Sequence, residues 1–107
     1  MIVVVMVAIP QDKARELATA LLNERVCACV NIIDGVESLF WWKGKIDTAK
    51  ESILLIKTRE TLFTKLQMLI KDNHPYEVPE ISSIKIDEAS KEYKDWLNQE
   101  ANAQPYL

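Results

Sequence analysis

The order of hydrophobic patterns along the 107 residues predicts an α+β chain forming one domain, residues 1–107. Three observations carry this expectation. Met1–Ile9 is an almost continuous apolar run closed by Pro10, the mark of a buried central strand. Two later stretches, near 12–24 and 58–73, repeat their apolar residues at helical spacing. Between them lie two long arms of aromatic and β-branched residues that meet at Lys43-Gly44.

The first run is too short to span a bilayer and lacks the basic start and small-residue cleavage site of a signal peptide. After Pro10, Asp12 is the expected N-cap of a helix. Ala14, Leu17, Ala18, Leu21 and Leu22 fall at i, i+3, i+4, i+7 and i+8, one apolar stripe, with Lys13, Glu16, Asn23 and Glu24 on the wet side.

Cys27 to Thr58 reads as one long β-hairpin. Gly44 supplies the positive φ that a tight hairpin turn needs. Leu39-Phe40-Trp41-Trp42 precede the turn and Ile53-Leu54-Leu55-Ile56 follow it. At about 3.3 Å per residue, an unbroken strand from Cys27 to Trp42 would reach about 50 Å. A compact domain of this length has a radius of gyration of only about 13 Å. The arm must therefore bend, and Ile33-Asp34-Gly35 is the expected bulge. Even bent, it should carry Phe40, Trp41 and Trp42 beyond the body, where exposed apolar surface of that size faces a partner. The expectation is an obligate oligomer built through the hairpins.

The second helix should start at Thr58 or Thr61, bury Leu62, Leu66, Leu69 and Ile70 with Phe63 beside them, and stop at His74-Pro75. His74–Glu80 is a loop stiffened by Pro75 and Pro79. Ile81, Ile84 and Ile86 mark a strand. Ser90 should cap a third helix with Tyr93, Trp96 and Leu97 on one side. Residues 98–107 are polar and should fray. The resulting order, βαββαβ, is the split βαβ, ferredoxin-like pattern with a long hairpin between the second and third strands and an extra C-terminal helix. Its sheet should be antiparallel, with two helices on one face and the other face bare until something covers it.

Hydrophobic residues make up 49 % of the chain and charged residues 27 %, with a net charge of −3. Nothing in this balance attracts nucleic acid or an anionic membrane surface. Cys27 and Cys29 are two apart on one strand, a poor disulfide geometry, and free thiols fit a reducing, cytoplasmic compartment. The same two cysteines with His74, the single histidine, could make a nucleophile or a soft metal site for copper or zinc. Equally, the cysteines could be small core residues and His74 a helix-terminal one. Lys57, His74, Tyr76, Glu80, Tyr93 and Trp96 lie at strand ends or in the stiff loop and could line a small-molecule cleft at a subunit boundary, or simply pair and pack. Gly35 and Gly44 are the only glycines, so there is no glycine-rich phosphate loop.

Ala28-Cys29-Val30-Asn31, Phe40-Trp41-Trp42-Lys43-Gly44-Lys45-Ile46, Ile56-Lys57-Thr58, His74-Pro75-Tyr76-Glu77-Val78-Pro79-Glu80 and Tyr93-x-x-Trp96-Leu97, in this order, resemble the CutA family of divalent-cation tolerance proteins. The resemblance covers nearly the whole chain. It implies a homotrimer packed around the long hairpins, as in the PII signalling proteins, association with tolerance to copper and other divalent metals, and no established catalysis. Some bacterial members carry a proposed copper site whose cysteine and second histidine stand where this chain has Val7 and Asn73; only the histidine matching His74 is present. Cys29 matches a cysteine common in the family, and Cys27 could partly substitute for the missing ligand. A PII-like module binding a small ligand between subunits is the alternative that the resemblance implies.

Overall fold

The protein is described from a computed structural model over residues 1–105. Strand β1 (Ile2–Pro10) leads into helix α1 (Gln11–Asn23), followed by the hairpin strands β2 (Cys29–Trp42) and β3 (Lys45–Arg59). A short 3₁₀ turn, Glu60–Leu62, precedes α2 (Phe63–Asn73); β4 (Ser82–Lys85) and α3 (Lys91–Glu100) complete the chain. The sheet order is β2-β3-β1-β4, and every pairing is antiparallel. Two split βαβ units interleaved in this way are the ferredoxin-like fold, as the pattern predicts.

Strand alternation divides the sheet residues between two faces. Val3, Val5, Val7 and Ile9 of β1, with Leu54 and Ile56 of β3, point to the helix side. There they meet Ala14, Leu17 and Leu21 of α1 and Leu66 and Ile70 of α2 in the main core. The alternate residues, Val4, Met6 and Ala8 of β1 and Ile53 and Leu55 of β3, lie on the opposite face and are only half-buried. β1 is central, but only one of its faces is covered by helices. A second small core joins Ile2, Leu62, Leu97 and Ala101, and this is what docks α3.

The hairpin turn has φ of 51° at Lys43 and 81° at Gly44, both positive, as a two-residue turn matched to strand twist demands. The bend falls at the expected place. The register of β2 against β3 shifts between Ile33 and Val36, with Gly35 at φ 73°. The Gly35 N–H is held by the Gln11 side chain at 2.9 Å, which ties the bend to the start of α1. The hairpin still overhangs, and the molecule measures 45 × 27 × 22 Å.

Several local expectations are corrected. α1 begins two residues early, with Pro10 at the cap position and no side-chain cap; Asp12 sits in its first turn. Proline fits a helix start because its φ is already near the helical value. Leu22 completes the stripe in sequence but is exposed. Thr58 belongs to β3, where its buried hydroxyl donates to the Val26 carbonyl at 2.7 Å, and neither it nor Thr61 caps α2. Ser90 does cap α3, accepting from the Tyr93 N–H at 3.2 Å, but of Tyr93, Trp96 and Leu97 only Leu97 is buried. Residues 98–105 are not loose. Ala101 is fully buried, Ala103 donates its N–H to the Arg25 carbonyl, and Arg59 donates to the carbonyls of Ala101 and Ala103. The rest of the predicted frayed tail, residues 106–107, lies outside the described residues.

Candidate functional site

The face of the sheet that α1 and α2 leave open carries the residues with chemical potential, at two separate places. One is a thiol corner. Cross-strand pairing sets Cys29 opposite Lys57, and the Lys57 ammonium lies 4.0 Å from the Cys29 sulfur while donating to the Asn31 side chain. Tyr93 and Trp96 of α3 stand nearby as a tilted ring pair, centroids 5.8 Å apart. The Tyr93 phenol is pushed up, chiefly by burial and secondarily by the charge of Cys29.

Cys27 takes no part in the open face. A bend at Ala28 precedes β2, so Cys27 packs into the main core, 2 % exposed. Its thiol is raised from 9.0 to about 12, first by burial and then by the charge of Cys29. Two cysteines expected to share a strand face are thus divided between core and surface.

The second place is a groove of about 780 Å³ between the outer half of the hairpin and the loop Pro75–Glu80, floored by Ala8 and Ile53. Aromatic rings of Phe40, Trp41, Trp42 and Tyr76 form its walls, and Asp47, Glu51, Glu77 and Glu80 bring carboxylates to it. Glu51 is only 4 % exposed. It accepts from the Tyr76 hydroxyl, and burial first, then this hydrogen bond and the charge of Glu51, raise the Tyr76 phenol from 10.0 to about 12.

His74 stands at the edge of this groove with its backbone extended, as a residue before proline must be. The Tyr76 N–H donates to Nδ1 at 3.1 Å. The ring proton is then on Nε2, which donates to the Ala8 carbonyl at 2.8 Å. Both nitrogens are engaged by backbone, so His74 serves here as a brace between the loop and β1.

The six residues expected in one cleft therefore divide. Tyr76 and Glu80 line the groove, and His74 braces its loop without lining it; Lys57, Tyr93 and Trp96 belong to the thiol corner. Ala8 pairs with Ile53, four residues along β3 from Lys57, a separation of about 13 Å along the strand. The expected metal set of His74, Cys29 and Cys27 is likewise not brought together within one chain. Among the described residues, no group of three or more His, Cys, Asp or Glu side chains is arranged to hold a metal ion. Val7 is buried in the core, and the Asn73 amide donates to the Leu69 carbonyl at 2.8 Å. Sequence reading missed Glu51. Its signal was slight, a single carboxylate opening the apolar run 53–56, on the strand face that Lys57 shares.

The model of the family described as CutA1 divalent ion tolerance protein matches residues 2–100. This chain belongs to the CutA family. A CutA divalent-cation tolerance protein of Thermus thermophilus is 43 % identical over 97 residues, covering 90 % of this chain and 94 % of the relative. The chloroplastic CutA of rice is 43 % identical over 96 residues, 89 % of this chain, but this chain spans only 54 % of its length. A solved T. thermophilus CutA1 superposes with a TM-score of 0.90 at 42 % identity, covering 94 % of this chain and 98 % of that one. Rice CutA1 gives 0.93 at 38 % identity, with 96 % and 95 % covered. A CutA structure from Archaeoglobus fulgidus, described as periplasmic, gives 0.92 at 34 % identity, with 95 % and 100 % covered. The T. thermophilus and A. fulgidus relatives are named as divalent-cation tolerance proteins. No helix among the described residues is long and apolar enough to cross a membrane.

Proposed function

We propose that this chain is a cytoplasmic homotrimer that acts in divalent-metal tolerance, copper included, by binding rather than by catalysis. One observation carries the assembly. The far half of the hairpin exposes Leu39 at 62 %, Trp41 at 73 % and Ile46 at 62 %, with Phe40 and Trp42 beside them. Apolar area of this kind, continuous with a half-covered sheet face, is stable in water once other copies lie on it. The number three follows from the resemblance to trimeric family members. Sedimentation equilibrium at micromolar concentration tests it: a particle of three 12.3 kDa chains is expected, and a folded monomer overturns it.

In this reading the soft donor offered to a metal is the Cys29 thiol, which lies outside the core. Cu(I) titration into the wild type and a Cys29→Ser variant tests it; equal affinity rules out ligation by this thiolate. The groove favours a second reading, a PII-like trimer that holds a small ligand between subunits. Its volume of about 780 Å³ falls in the range of small-molecule sites. On that reading Tyr76 and Glu80 touch the ligand and His74 braces the loop.

A further inference from the structure

We propose that Cys29 and Lys57 form an oxidation site, in which hydrogen peroxide joins the two side chains through a sulfur–nitrogen bond, a sulfenamide. This chemistry depends on neither the metal reading nor the small-ligand reading.

The sheet places the pair. Cys29 and Lys57 stand opposite each other in the antiparallel register of β2 and β3, so their side chains leave the same face. A lysine stem at such a position can carry its ammonium out into water. Here it turns back, and the ammonium lies 4.0 Å from the Cys29 sulfur. No carboxylate draws it there: among the described residues the ion pairs are Arg25–Glu100, Lys85–Glu60 and Lys91–Asp95. Its other partner is the side-chain oxygen of Asn31, the next residue of β2 on the same face. Cys29 and Lys57 are both half-buried rather than sealed.

An oxidised cysteine needs a group to capture it. A thiolate that reacts with a peroxide becomes a sulfenic acid, which proceeds to irreversible sulfinic and sulfonic acids unless a thiol or a nitrogen intervenes. The usual resolving thiol is out of reach. Cys27 is the only other cysteine, and it is packed in the main core, 2 % exposed, before the bend at Ala28. The nucleophile beside Cys29 is the Lys57 nitrogen. Its flexible four-carbon stem lets it close the remaining gap with the backbone fixed.

The Cys29 thiolate attacks one oxygen of hydrogen peroxide, the O–O bond breaks and hydroxide leaves. The hydroxide takes a proton from the Lys57 ammonium and becomes water, so a neutral amine now faces the new sulfenic acid. The amine nitrogen attacks the sulfur and the S–O bond breaks. The departing hydroxide takes a proton from the nitrogen and becomes a second water. Sulfur loses two electrons, the peroxide gains them, and the chain ends lighter by two hydrogen atoms. The bond withdraws the thiol and the cation of this corner together, and a thiol reductant restores both.

Hydrogen peroxide added to the intact, assembled protein, followed by mass spectrometry of the chain and its peptides, tests this. The expected product is lighter by two hydrogen atoms, with Cys29 joined to Lys57 in the peptide map, and dithiothreitol returns it to the starting mass. Lys57→Arg keeps the charge but loses the nucleophilic amine. It should lower the yield of linked product at least tenfold and let Cys29 gain two or three oxygen atoms instead. Cys27→Ser should leave the link unchanged. A Cys29 that stays unmodified overturns the proposal, as it would if another copy sealed the corner. So does a wild-type Cys29 that gains oxygen without joining Lys57, or a loss of two hydrogens that maps to Cys27 and Cys29. The peptide map of the wild type decides by itself, whether or not the variants fold.

Discussion

Tyr76 and Cys27 each hold a proton more tightly in the fold than in the unfolded chain. Burial is the larger cause for both, joined by Glu51 at Tyr76 and by Cys29 at Cys27. Both groups are neutral when protonated, and both folded values are raised. Their contribution to stability is therefore complete below the unfolded values of 9.0 and 10.0 and is lost as pH rises towards about 12. The expected outcome is a melting temperature that falls steeply across this alkaline window. A Cys27→Ala, Tyr76→Phe double variant should show a flatter slope, whatever its stability at neutral pH. Parallel slopes would show that these two protons are not the ones involved.

The elements differ in what starts and stops them. α3 has a side-chain cap, Ser90, whereas α1 and α2 have none and depend on packing. α3 buries little besides Leu97. Ser90→Ala should therefore lower stability by about 1 kcal/mol in urea unfolding. It should also raise amide exchange along α3 before that of β1 or β3, because α3 is attached through the smaller core. Uniform acceleration across all elements would contradict this. The hairpin is governed by its own chemistry, with two positive-φ residues at the turn and a third at the bend. Gly35 and Gly44 sit where a side chain would meet no neighbour, so backbone conformation rather than space calls for glycine there.

For the whole molecule, the question is where the uncovered apolar surface goes. Trp41 is 73 % exposed, so changing it removes little that holds a single chain together. In the proposed trimer the same ring is buried, and burying a large apolar side chain contributes about 1.5–3 kcal/mol. Trp41→Lys should leave the circular dichroism and chain fold intact while weakening self-association at least about tenfold in sedimentation. A variant that assembles as well as the wild type would remove the hairpin from the interface.

Much of the architecture was legible because it depends on near neighbours in the chain. The element order, the Lys43-Gly44 turn, the bend at Gly35, the Ser90 cap and the end of α2 at His74-Pro75 all follow from residues within one turn or pleat of each other. The family could be read from motifs for the same reason. The site could not, because it depends on pairing across strands. The register of β2 against β3 puts Cys29 beside Lys57, while the bend at Ala28 sends Cys27 into the core. The path of the Pro75–Glu80 loop turns Glu51 into a buried carboxylate and occupies both nitrogens of His74. Local sequence decides which backbone shapes are accessible, through sterics and periodicity. Proximity between residues far apart in the chain is decided only when the sheet closes and each side chain is assigned to one face or the other.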